Sequence, residues 1–414
     1  MDSATQIAAS TGAREHAVAQ ASAATSARLT SVDALRGVIM ILMALDHTRD
    51  FFHHLAFQFA PDDLRRTTAA LFFTRWITHF CAPVFLFTAG LGIYFRLARA
   101  HSVRQVSRFL WTRGLWLMLL EITVLRLAMN FSLFTGPVVL TVLWVIGLSM
   151  VVMGILVWLP VRALAVISVL TIALHNWAGR AAMNADFGSA AWLWNILYQP
   201  GVFRVASAVV IVAYNLIPWL AIMMAGYCFG QLMSAAPETR RKWMLIIGLG
   251  ITAAFFLVRG LNIYGDPAPW TSQIPGMTLL SFLRASKYPP SLVFILMTLG
   301  PAILLLAWFE RRAISAKNPI VILGRVPLFY FLGHFFLIHA LAVLFALMRY
   351  GHARFLFYPL PSAGGPANLY PSDFGYGLPV VYAVWALVVL LMYPACRWFA
   401  RLRERRKDWW LSYL

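Results

Sequence analysis

The chain has 414 residues, 61% of them hydrophobic and only 12% charged, with a mean hydropathy of +0.74. That balance excludes a soluble multidomain enzyme and marks an integral membrane protein. A formal net charge of +19 does not point to nucleic acid, because Lys and Arg fall in short loops between apolar spans rather than along one soluble face.

Residues 1–29 are rich in Ala, Ser and Thr and lack an apolar core long enough for a signal peptide, so they read as a disordered cytoplasmic tail. Residues 30–398 form the transmembrane domain, and 399–414 a basic and aromatic cytoplasmic tail. A helix needs about 20 apolar residues to cross a bilayer. By that measure the chain carries about ten spans: 33–53, 71–95, 114–134, 138–158, 163–178, 206–232, 243–263, 289–308, 321–347 and 378–398. The third and fourth are separated only by Gly136 and Pro137, which predicts a tight helical hairpin, and the fifth is short. The expected fold is an all-α polytopic bundle. Arginines and lysines crowd one set of loops (Arg96, Arg99, Arg104, Arg108, Arg113, Arg240, Arg241, Lys242) and are sparser in the longer opposite set. The positive-inside rule then puts both termini in the cytoplasm. Three long outer loops, about 179–205, 264–288 and 348–377, are expected to carry function or cover a site.

The first span, TSVDALRGVIMILMALDHTRDFFHH, is uncharged from Val38 to Leu45 but has Asp33 and Arg36 at one end and Asp46, His47, Arg49 and Asp50 at the other. The eleven-residue step from Arg36 to His47 brings them within about 20° on one helix face, roughly 16 Å apart along it. Ionisable groups at membrane depth are expensive, and a cluster of them indicates function. Asp50, three residues after His47, is placed to hold one ring nitrogen and leave the other as a base; Asp46, the adjacent residue, is the alternative orienter. A surface ion-pair cluster of Asp46, Arg49 and Asp50 is the plainer reading of the same residues.

In the second span Pro83 permits a kink and Gly90 and Gly92 permit close helix approach, while His79 near its outer end is either a packing residue or part of the site. Glu121 and Arg126 in the third span lie about 140° apart, so each is expected to find a partner on another helix. Lys287 and Tyr288, ahead of Pro289 and Pro290, suit anion or substrate recognition or an interfacial anchor. Arg325 opens the ninth span; His334 and His339 follow on different helix faces, poor spacing for a shared metal. No HExxH, Cys/His set, GxSxG, P-loop or dinucleotide fingerprint occurs, so no metal is expected. The three cysteines lie in apolar spans and read as small buried hydrophobes.

Ser31-Val32-Asp33-xx-Arg36-Gly37, then His47, then Ala82-Pro83-Val84-Phe85-Leu86-Phe87-Thr88-Ala89-Gly90 resembles the catalytic domain of heparan-alpha-glucosaminide N-acetyltransferase, above all its bacterial relatives. There the likeness extends to Tyr264-Gly265-Asp266-Pro267, Lys287-Tyr288-Pro289-Pro290-Ser291, Gly324-Arg325-Val326-Pro327 and the closing Trp409-Trp410-Leu411-Ser412-Tyr413-Leu414. The Arg-Gly followed by His also resembles the wider membrane acyltransferases that O-acetylate bacterial polysaccharides. The resemblance implies a multi-pass enzyme of a cell membrane, the bacterial inner membrane, that moves an acyl group from cytoplasmic acetyl-CoA to a sugar or cell-envelope glycan on the far side. At the position of His47 the animal enzyme has Asn, and the family's proposed catalytic His falls near Gln58, with His53 and His54 the closest here. Joined to the reading of the residues, His47 is the expected base, oriented by Asp50 or Asp46. Asp33, Arg36, Arg49, His79, Arg96, Lys287, Tyr288, Arg325 and His334 are the expected donor and substrate contacts, with Arg99 and Arg104 beside Arg96 for the CoA phosphates. The partners are then the lipid bilayer, acyl-CoA and a glycan acceptor, with a homodimer left open. The rival class is a transporter or carrier that uses the same charges to bind an anionic or glycan-linked substrate.

Overall fold

The structure is a computed structural model that describes residues 29–182, 185–406, 408, 411 and 413. The expected N-terminal tail, up to residue 28, and Trp409, Trp410, Ser412 and Leu414 of the closing aromatic run lie outside the described residues. Helices hold 70% of the structure and strands 4%, so the all-helical expectation stands apart from one small sheet.

In chain order the helices are α1 (Thr30–Phe52), α2 (Ala69–Thr78), α3 (Cys81–Arg99), α4 (Val103–Leu120) and α5 (Arg126–Asn130), then α6 (Val142–Leu156), α7 (Val161–Ala181) and α8 (Ala191–Leu197). They continue with α9 (Leu216–Met233), α10 (Pro237–Leu261), α11 (Thr278–Leu283), α12 (Leu292–Arg312), α13 (Pro319–Arg325), α14 (Pro327–Tyr350) and α15 (Leu378–Arg405). Among the described residues, seven helical segments are long and apolar enough to cross a membrane: Ala69–Arg99, Val161–Ala181, Leu216–Met233, Pro237–Leu261, Leu292–Arg312, Pro327–Tyr350 and Leu378–Arg405. Of the ten spans expected, those at α1, α4 and α6 do not meet that measure. α1 and α4 carry too many charges, and α6 has 15 residues.

α1 is the axis of the bundle. It packs against α2, α3, α12, α13, α14 and α15, and so its charged ends are buried with its apolar middle. Two close crossings fix its surroundings. A Cβ on Gly37 would strike the Ile320 carbonyl of α13, and one on Gly324 would strike the Asp33 carbonyl of α1. Likewise Gly90 of α3 sits on the Met223 carbonyl of α9, and Gly226 on the Phe87 carbonyl. Small residues are what let helix backbones approach this closely where apolar surface alone gives no preference between lipid and protein.

The second span bends, but not at Pro83. It breaks at His79–Phe80 between α2 and α3, and Pro83 falls in the first turn of α3, where its missing N–H removes no helix bond. The span expected at 114–134 is a continuous helical rod, Val103–Asn130, with one π turn at Glu121–Leu125. Glu121 there reaches α6: its carboxylate accepts from the Thr141 N–H (2.8 Å), the Thr141 hydroxyl (2.6 Å) and the Trp144 N–H (3.1 Å). It caps the positive end of α6 and so finds its partner on another helix. Arg126 does not; it donates to the Thr135 and Gly136 carbonyls of the loop that follows its own rod.

The predicted helical hairpin at Gly136–Pro137 is replaced by strand β1 (Val138–Leu140), and the span expected from 206 begins as a strand. β1 pairs in parallel with β3 (Ala208–Val212), which pairs antiparallel with β2 (Gly201–Val205). A short apolar run does not by itself separate helix from strand, and the Val-Val-Ile-Val of β3 is β-branched throughout. The fifth span is not short: α7 has 21 residues. The ninth is not continuous, because Pro327 ends α13 and starts α14 at Val326.

Candidate functional site

Two cavities open on opposite ends of α1. The first, about 1170 Å³, is lined at the carboxyl end of α1 by Asp46, His47, Arg49 and Asp50, by Arg75, His79 and Cys81, by Tyr214 between β3 and α9, and by Asp266, Lys287 and Tyr288 of the long loop before α12. All three loops expected to carry function contribute to its wall, through Pro200–Val202, Arg284–Tyr288 and Leu360–Ala363. His47 lies over Phe335, ring centroids 4.1 Å apart, with its Nδ1 4.0 Å from Asp50 Oδ2. The i,i+3 spacing read from the sequence thus brings the two side chains near each other, at a separation longer than a hydrogen bond. Asp50 also holds Arg49, at 2.6 Å.

Asp46 is engaged elsewhere. Arg75 Nη1 sits 2.8 and 2.6 Å from its two oxygens, Arg49 forms an ion pair at 2.9 Å, and the Thr78 hydroxyl donates at 3.0 Å. Both Asp46 oxygens are thus engaged by arginine, whereas the carboxylate oxygen nearest His47 Nδ1 is Asp50 Oδ2.

The Lys287 loop is held from behind by Asp266. Its Oδ2 accepts from the Ser286 N–H (2.9 Å) and the Ser291 hydroxyl (2.6 Å), and its Oδ1 from the Ala268 N–H (3.0 Å). His175 and Asn176 of α7 add contacts to the Pro290 carbonyl and the Leu292 N–H, each at 2.8 Å. Lys287 is buried to 8% exposure, its ammonium 5.7 Å from the Tyr214 ring centre and 5.2 Å from that of Tyr288. Burial opposes ionisation of the Tyr288 phenol, but the nearby Lys287 and Arg75 charges outweigh it and bring the group below its ordinary value.

The second cavity, about 770 Å³, lies at the amino end of α1 and is rich in arginine: Arg36, Arg96, Arg99, Arg113, Arg325 and Arg403, with Asp33 and His101. Arg36 donates to the Thr88 carbonyl at 2.6 Å and stands 4.0 Å from Asp33. Arg96 stacks on Phe109 at 3.4 Å. Arg325 pairs with Glu404 at 2.8 Å and lies 4.0 Å from Asp33. Arg104, expected beside Arg96, does not line this cavity. Phe85, Val142 and Phe331 line both cavities and so form the partition between them.

The expected site residues thus divide into two groups. Asp33, Arg36, Arg96 and Arg325 share the arginine-rich cavity; Asp46, His47, Arg49, Asp50, His79, Lys287 and Tyr288 share the histidine cavity. His334 lines neither; it is fully buried, 5.3 Å from His47 between ring centres. His339 is a strut between the Ala128 and Leu356 carbonyls, both at 2.9 Å. The sequence reading missed Arg75, although an arginine inside AALFFTRWIT meets the same criterion that selected α1. Tyr214, Val142 and Phe331 carry no local signal, and Phe85 entered the sequence reading only as one residue of the Ala82–Gly90 motif. Among the described residues no three His, Cys, Asp or Glu side chains gather as a metal-ligand set, and the three cysteines are free thiols.

A family model described as heparan-alpha-glucosaminide N-acetyltransferase, catalytic, matches residues 28–264. The matched stretch holds α1 to α10, including His47, Asp50, Arg75 and the partition residues Phe85 and Val142, and ends before Lys287 and His334. A search of curated proteins found no match.

Proposed function

Because the chain belongs to the heparan-alpha-glucosaminide N-acetyltransferase catalytic family, we propose that this multi-pass membrane protein moves an acetyl group from acetyl-CoA in the arginine-rich cavity to an acceptor in the histidine cavity. The observation that carries the reading is the pair of cavities at opposite ends of α1, meeting at Phe85, Val142 and Phe331. Arginines recognise phosphates through paired N–H donors, so Arg96, Arg99, Arg113 and Arg403 suit the anionic body of CoA. The thioester end then points at the partition. With both termini cytoplasmic, as the positive-inside rule has it, the arginine-rich cavity faces the cytoplasmic donor and the histidine cavity the opposite side.

On the acceptor side His47 acts as general base. The Asp50 carboxylate stands 4.0 Å from Nδ1 and favours the imidazolium electrostatically, and Nε2 takes the proton of an acceptor hydroxyl or amine as it attacks the acetyl carbon. Asp46, Arg49 and Arg75 form a fixed charge frame around that imidazole. A sugar of the cell envelope suits the polar, aromatic wall of a cavity of this volume, and Lys287 beside Tyr214 and Tyr288 offers it a cation and two ring faces.

The test uses purified protein in lipid vesicles with labelled acetyl-CoA on the arginine-rich side and glucosamine-terminated or envelope-derived glycans on the other. Label transferred to the glycan, with transfer lost in H47Q while acetyl-CoA binding persists, supports the reading. Full transfer by folded H47Q sinks it. Glycan uptake that needs no acyl-CoA would identify a carrier instead.

A further inference from the structure

Lys287 carries a charge that the histidine cavity leaves unanswered. The other cations of that wall each have a carboxylate: Arg75 and Arg49 both reach Asp46, and Arg284 stands 3.5 Å from Asp62. Among the described residues the Lys287 ammonium has neither a hydrogen bond nor an ion pair. Asp266, on the same loop, is no partner, because its oxygens are taken by the Ser286 and Ala268 N–H groups and the Ser291 hydroxyl. The Tyr214 and Tyr288 rings flank the ammonium, but a ring face replaces only part of what three N–H donors lose on leaving water.

The ammonium is held in place and open to the cavity. On its loop the Ser291 N–H donates to the Ser286 carbonyl at 2.9 Å, and the Ser286 hydroxyl to the Pro289 carbonyl at 3.3 Å. An interfacial anchor would instead trail a mobile stem with its charged head in water. Other unpartnered polar atoms nearby, His79 Nδ1, Tyr330 Oη and His334 Nε2, are walled in by protein, so no ligand reaches them. Lys287 lines the cavity, and its charge is felt at Asp46, His47 and His79, within range of the candidate base. At about 1170 Å³ the cavity exceeds most small-molecule sites, which leaves room for a contact apart from the reacting atom.

We propose that Lys287 is an anion subsite of this cavity, and that the acceptor carries a singly charged oxyanion, a phosphodiester or a carboxylate, beside its accepting hydroxyl or amine. The inference rests on the acceptor's place in the acetyl transfer proposed above. One charge is specified because the neighbouring arginines are already bound to carboxylates, so a doubly charged phosphomonoester would keep half its charge unmatched. Lysine is a point-charge binder of such oxyanions. Tyr214 and Tyr288 present ring faces to the sugar that bears the charge.

The experiment measures equilibrium binding of three labelled probes to purified wild type, K287M and K287R: methyl glucoside, methyl glucosiduronate and glucose 1-(methyl phosphate). They differ in one group, neutral in the first and singly anionic in the others. Wild type is expected to bind one or both anions about tenfold or more tightly than methyl glucoside. The ratio falls to about one in K287M and persists in K287R, which keeps the charge. The anion preferred tells carboxylate from phosphodiester. Equal binding of all three by wild type, binding of none, or a preference that survives in folded K287M overturns the subsite. Should K287M not fold, K287Q takes its place, and the wild-type comparison still decides by itself. Label transfer from acetyl-CoA is followed separately. Anion preference without transfer to any glycan keeps the subsite and overturns the acetyl-transfer reading, whereas transfer without preference does the reverse.

Discussion

Replacing Arg75 by Met tests whether Asp46 is an electrostatic hub. Asp46 is 8% exposed and meets Arg75, Arg49 and Thr78 within 3.0 Å. Unit charges about 4 Å apart interact by about 4 kcal/mol at an effective dielectric constant of 20, and truncating one member of a buried pair costs about 3–5 kcal/mol. Arg49 and Thr78 remain to share the charge, which puts R75M at the lower end, about 3 kcal/mol. D46N alone strands Arg75 but leaves Arg49 on Asp50, at about 2 kcal/mol. If the two residues act on each other, R75M/D46N loses about 2 kcal/mol rather than the sum of about 5. Thermal unfolding in detergent reads this out. At roughly 1–2 °C per kcal/mol for a chain of this size, R75M drops by about 3–6 °C and the double variant recovers about a third of that, where additivity would deepen the loss. Additivity of the two single losses within about 0.5 kcal/mol would refute the hub.

Four further outcomes are expected. D50N, which removes the carboxylate charge from His47 Nδ1, lowers kcat about tenfold or more with little change in acetyl-CoA binding, measured by transfer rate and donor titration. F331A opens the partition and raises acceptor-independent hydrolysis of acetyl-CoA, whereas F331W suppresses transfer; identical hydrolysis in all three proteins would remove the partition from the argument. G37V drives a side chain into the Ile320 carbonyl, and little folded protein is recovered by size-exclusion chromatography. E121Q weakens the charged cap of α6 by about 1 kcal/mol, seen as a small downward shift in thermal unfolding with transfer retained.

Composition alone settles that this is a membrane protein, because no soluble fold disposes of 61% hydrophobic residues in a chain with 12% charged. Local sequence also located the centre of the molecule. Charges at both ends of an apolar run are costly in lipid, and the helix that carries them is the one wrapped by six others. The i,i+3 step from His47 to Asp50 was legible because helical spacing is local. The sheet was not legible, since Ala208–Val212 pairs with a segment some 70 residues earlier and its apolar pattern fits either structure. Nor was the division of labour between Asp46 and Asp50. Arg75 reaches Asp46 from another helix, and only packing reveals which carboxylate is already taken. The partition of Phe85, Val142 and Phe331 is the clearest case: three ordinary apolar residues from α3, α6 and α14 acquire meaning only where those helices meet. Sequence fixes what a helix must hide; the tertiary structure decides what it is hidden against, because partners far apart in the chain leave no periodic trace.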